Sequence, residues 1–129
     1  MSKGRVLIVD DHELDRRLSV LDLEEAGFHV SEAGNVDEAL RRLERMTFDL
    51  IVLDIRMPVV DGLTFLRHLQ ATPKLETVPV VMLTASDDMD DELQAMSGGA
   101  VSYIIKPAHR ETLVKHVADA LAKSHPSSS

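Results

Sequence analysis

Apolar residues along this chain switch repeatedly between short runs and helical spacing. Strand-like runs lie at Val6–Val9, Phe28–Ala33, Leu50–Leu53, Val80–Leu83 and Val101–Ile105. Their β-branched content suits extended backbone, and an unbroken apolar run means burial on both faces of a sheet. Phe28–Ala33 alternates apolar with polar residues, which predicts an edge strand.

Helical patterns fill the gaps. Leu14, Leu18 and Leu21 fall at i, i+4 and i+7, with Gly27 placed to stop the helix. Asn35 stands as an N-cap with Glu38 three residues on, ahead of Ala39, Leu40, Leu43 and Met46. Leu63, Phe65, Leu66 and Leu69 follow Gly62. Met89, Leu93 and Met96 overlap a run of acids suited to a positive helix N-terminus, and Gly98-Gly99 ends that helix. Leu113, Val117 and Leu121 mark the last one. Met82, Met89 and Met96 read as core and helix-face residues.

Strict strand–helix alternation predicts a parallel sheet with helices on both faces and right-handed crossovers. No repeat or second domain is visible. The expected division is one domain over 1–123 and a polar, disordered tail over 124–129.

Four of the strands end in groups that bind metal or phosphate. Val9 leads into Asp10-Asp11, Leu53 into Asp54, Leu83 into Thr84, and Ile105 into Lys106-Pro107. Parallel strands put these ends on one edge, where open α/β sheets bind ligands. Asp10 and Asp11 repel each other unless a cation lies between, and Mg²⁺ takes such carboxylates together with phosphate oxygens. Asp54 can act as a nucleophile and form an aspartyl phosphate. Thr84 can donate to a phosphoryl oxygen, the backbone N–H groups of Arg56 and Ala85 can complete a cradle, and Lys106 can neutralise charge. Each has a plainer reading alone: an acidic helix cap, a loop acid, a strand-closing Thr, a Lys-Pro surface turn. The combination favours a divalent cation beside a phosphoryl group.

Bulk properties narrow the alternatives. The net charge of -8 and the few aromatics (Phe28, Phe48, Phe65 and Tyr103) argue against a nucleic-acid surface. No cysteine is present, so disulfides and thiolate chemistry are excluded. No apolar run approaches the ~20 residues of a membrane span, and no signal-peptide core precedes Asp10. A cytoplasmic setting without a membrane partner is expected. Of the six histidines, His12 is nearest the acids and reads as solvated.

The motifs Val9-Asp10-Asp11, Asp54 through Gly62, Leu83-Thr84-Ala85, Gly99-Ala100, Tyr103 and Lys106-Pro107 together resemble the receiver domains of two-component response regulators, the CheY-like superfamily. The likeness runs from about Arg5 to about Lys123. It implies a flavodoxin-like, doubly wound (βα)5 fold with sheet order 2-1-3-4-5. It also implies that Asp54 accepts a phosphoryl group from a sensor histidine kinase or phosphotransfer protein. Mg²⁺ would be held by Asp11, Asp54 and the Arg56 carbonyl, with Asp10 acting through water. Lys106 would pair with the phosphoryl oxygens, and Thr84 and Tyr103 would form a coupled switch. The output would be a downstream protein, an output domain or a homodimer through the 87–123 face. Such a protein is not an enzyme toward outside substrates. Ala108, and Val101-Ser102, depart from the winged-helix DNA-binding class of regulators.

Two other functions compete. An aspartyl-phosphate phosphohydrolase needs a second acid two residues after its nucleophile, where this chain has Arg56. A phosphorylation-independent scaffold would not need Asp10, Asp11, Asp54, Thr84 and Lys106 all in place.

Overall fold

The computed structural model describes residues 2–124. Its elements alternate without exception: β1 (Arg5–Val9), α1 (Glu13–Glu25), β2 (His29–Ala33), α2 (Val36–Arg45), β3 (Leu50–Leu53), α3 (Gly62–Ala71), β4 (Val80–Thr84), α4 (Met89–Ser97), β5 (Ser102–Ile105) and α5 (Arg110–Ser124). The strands form one parallel sheet in the order β2-β1-β3-β4-β5. This is the flavodoxin-like arrangement, with β2 at an edge as its alternation predicts. Thr84 is the last residue of β4 rather than the first beyond it. Ser124 closes α5, and the rest of the expected tail, 125–129, lies outside the described residues.

The strand period of two divides the core. Leu7, Val9, Ile51, Leu53 and Met82 face one side, where they pack with Ala39, Phe65 and Leu66 of α2 and α3. Val6, Ile8, Val52 and Val81 face the other, with Leu23 of α1 and Leu113 and Val117 of α5. Both faces of β1, β3 and β4 are therefore filled, as unbroken apolar runs require. The Asn35 side chain accepts from Glu38 N–H, and the Asp61 side chain from Thr64 N–H. Gly27 has φ 103° just past α1, a conformation in which glycine carries no Cβ penalty.

Two helices turn an unexpected face inward. α1 buries Ser19, Val20 and Leu23, while Leu14, Leu18 and Leu21 are 73%, 53% and 56% exposed. α4 buries Asp91 and Ala95. Of the three methionines read as core and helix-face residues, Met82 is fully buried and Met89 and Met96 lie exposed on α4. Gly98 shows how closely this segment packs: a Cβ there would lie 3.3 Å from the Leu66 side chain of α3. The small Ala95 suits that close packing better than a methionine would.

Candidate functional site

β1 and β3 are neighbours, with Val9 opposite Leu53. The next residue of each, Asp10 and Asp54, therefore leaves the sheet side by side. Backbone bonds hold both exits: Asp10 N–H donates to Ala33 O at 3.1 Å and Asp54 N–H to Val9 O at 3.0 Å. Both carboxylates are nearly inaccessible, at 4% and 2% exposure. Asp11 and His12 follow on the more open side. Carboxylate oxygens of Asp10, Asp11 and Asp54 and a ring nitrogen of His12 all lie within 4.8 Å of one another.

Lys106 reaches this cup from beyond β5. Its backbone N–H donates to Thr84 O at 2.8 Å, which fixes the base of the side chain. The Nζ donates to Asp10 Oδ2 at 2.6 Å, Asp54 Oδ2 at 3.0 Å and Asp15 Oδ2 at 3.2 Å. Burial alone would lower the Lys106 pKa. The hydrogen bond to Asp10 and the charges of Asp54 and Asp10 outweigh it and hold the ammonium above its ordinary range. Burial raises the Asp10 pKa, and the Lys106 hydrogen bond opposes it only in part. Desolvation thus disfavours the Asp10 anion, and a further cation in the cup would relieve it.

The remaining candidates surround the acids. Arg56 N–H points at Asp54 Oδ1 from 3.4 Å. Ala85 and Lys106 share the lining of a cleft of about 360 Å³ beside α1. Thr84 is fully buried, and its hydroxyl oxygen accepts from Ser86 N–H at 3.2 Å. Tyr103 is half-buried and donates its hydroxyl to Ser86 O at 3.0 Å. Thr84 and Tyr103 therefore meet through Ser86. Burial, the largest influence on Tyr103, raises its pKa.

Gly62 permits this arrangement. A Cβ there would lie 2.0 Å from the Asp54 carbonyl oxygen. The Gly62 N–H donates to Ile55 O at 2.7 Å and closes the loop after Asp54. Within that loop Val59 has φ 68°, a strained value for a β-branched residue.

Three residues join the site that the sequence reading left out or weighed lightly. Asp15 bonds Lys106 from the first turn of α1, a contact between elements far apart in sequence that no local spacing announces. His12 is exposed as expected, yet its Nδ1 sits 3.3 Å from Asp11 Oδ1. Asp91, read only as a helix-start acid, is buried and bonded to both Arg56 and Ser86.

The oxygen-rich donor set of Asp10, Asp11 and Asp54 fits a hard divalent cation such as Mg²⁺. Acids and an ammonium thus meet at the ligand-binding edge of a doubly wound parallel α/β sheet. The response regulator receiver domain family matches residues 6–118, and the chain belongs to it. It is 34% identical over 122 residues to the phosphate regulon transcriptional regulatory protein PhoB of Escherichia coli, covering 95% of this chain and 53% of that protein. The chain thus spans about half the length of the curated relatives it first matches. A CheY-like receiver domain protein from Methanospirillum hungatei superposes with a TM-score of 0.89 at 25% identity, over 98% of this chain and 99% of the other. Full-length FixJ from B. japonicum superposes with a TM-score of 0.90 at 27% identity, over 99% of this chain and 62% of FixJ.

Proposed function

We propose that this chain is a phosphoacceptor switch in which Asp54 takes a phosphoryl group from a phosphohistidine on a sensor histidine kinase or phosphotransfer protein. A carboxylate oxygen of Asp54 attacks phosphorus. The O–P bond forms as the P–N bond breaks, and the departing imidazole keeps the electron pair and takes up a proton. The observation that carries this reading is the three-way contact of Lys106 with Asp10, Asp15 and Asp54 at the sheet edge. The ammonium is already placed to follow a negative charge added to Asp54.

Asp11, Asp54 and the Arg56 carbonyl would hold Mg²⁺, with Asp10 acting through water. When bound, the ion neutralises the carboxylates and lets an anionic phosphoryl group approach. The N–H groups of Arg56 and Ala85 would cradle its oxygens. Thr84 would turn from Ser86 toward the phosphoryl group and Tyr103 would respond, coupling the site to α4 and β5. The chain would process only its own acyl phosphate, in a cytoplasmic setting. Among the described residues no helix is long and apolar enough to cross a membrane.

Exposed Leu14, Leu18 and Leu21 leave an apolar stripe on α1, the helix that carries Asp15, and support that helix as a surface open to the donor protein. Exposed Met89, Leu93, Met96, Val101 and Ile105 support an output face within 87–123, for a partner protein, an output domain or a second copy. The test is incubation with acetyl phosphate and Mg²⁺ followed by intact-mass measurement. One added phosphoryl group is expected, lost in Asp54→Asn. Labelling that survives in Asp54→Asn would refute the acceptor.

A further inference from the structure

Arg56 carries a fixed positive charge two residues beyond Asp54 and spends it elsewhere. Its Nη2 donates to Asp91 Oδ2 of α4 at 2.8 Å. The same oxygen accepts the Ser86 hydroxyl at 2.6 Å. Asp91 is the buried partner, with its side chain 12% exposed, whereas the Arg56 side chain is 63% exposed. The arm can therefore swing without displacing packed neighbours. Its base is close to the acceptor, because Arg56 N–H already faces Asp54 Oδ1.

We propose that a phosphoryl group on Asp54 and the Asp91 carboxylate compete for the Arg56 guanidinium, with Asp91 holding that arm in reserve on α4. This rests on the phosphoacceptor reading. A phosphoryl group offers more charge and more acceptor oxygens than a carboxylate, and guanidinium matches it with paired N–H donors. Capture by the phosphoryl group removes the tether between the Asp54 loop and the first turn of α4. Asp91 keeps the Ser86 hydroxyl, so the buried acid is not left without a donor. Ser86 also holds Tyr103 through its carbonyl, so release is felt at β5 as well. Asp91 is thus a positioning residue acting through Arg56.

The test is a beryllofluoride titration with Mg²⁺, followed by the fluorescence of Tyr103, the one tyrosine in a chain without tryptophan. Arg56→Ala is expected to weaken binding by about tenfold, the scale of one charge-assisted bond. Asp91→Asn keeps an acceptor for Ser86 but removes the charge, and is expected to tighten binding about threefold, the scale of one partly exposed ion pair. In the Arg56→Ala background the Asp91→Asn effect is expected to vanish. Equal effects of Asp91→Asn with and without Arg56, or unchanged affinity in Arg56→Ala, would overturn the competition. Binding that is as tight in Asp54→Asn would instead overturn the phosphoacceptor reading beneath it.

Discussion

Lys106 Nζ lies 3.0 Å from Asp54 Oδ2, across 52 positions of sequence. The contact depends on sheet order: β5 and β3 flank β4, so a lysine after β5 can span the end of β4 to reach an acid after β3. The same ammonium lies 2.6 Å from Asp10, so one positive charge partly offsets two buried carboxylates.

Lys106→Met removes that charge while keeping most of the side-chain bulk. It is expected to destabilise the metal-free protein by about 3 kcal/mol at neutral pH, the scale for breaking a buried ion pair. The direction of the pH effect follows from the raised Lys106 pKa. The pairing stabilises fully below the ordinary lysine pKa and fades only as pH rises through the higher folded value. Wild-type protein should therefore keep this contribution throughout the neutral range. In Lys106→Met, acidification should recover part of the loss, because protonation relieves the repelling acids. Urea unfolding at several pH values checks both.

Gly62→Ala should damage the site without touching a charged group. The new Cβ would meet the Asp54 carbonyl oxygen at 2.0 Å, so backbone must move. A loss of about 2–3 kcal/mol in stability is expected, as for overpacked cores. Labelling by acetyl phosphate should slow as well, because the displaced backbone carries the acceptor. Thermal melts and labelling rates measured together check the pair of effects.

α1 gives a paired contrast. Leu23→Ala should cost about 2–5 kcal/mol, because Leu23 is fully buried. Leu21→Ala should change stability by no more than about 0.5 kcal/mol, because Leu21 is 56% exposed. Chemical denaturation of the two variants reads the difference directly.

That contrast also marks where the sequence was legible. The runs at Val6–Val9, Leu50–Leu53 and Val80–Leu83 reveal buried strands because burial on two faces leaves no polar position. The grouped strand ends expose Asp10, Asp11, Asp54 and Lys106 because parallel strands share an edge. Strand order came from family resemblance, since alternation alone permits several orders. Helical spacing located α1 and α4 but could not say which face turns inward. The Leu14, Leu18 and Leu21 stripe is more apolar than the Ser19, Val20 and Leu23 face, yet the latter packs on the sheet. The Arg56–Asp91 pair was hidden for another reason: it joins a loop to a helix with no periodic signal.

The most direct test of the central claim is to locate the acyl phosphate itself. Protein treated with acetyl phosphate and Mg²⁺ is reduced with borohydride, which converts a phosphorylated aspartate to homoserine, and its peptides are sequenced by mass spectrometry. Homoserine at position 54, and at no other aspartate, is the expected result. Homoserine at 10 or 11 with Asp54 unchanged would contradict it.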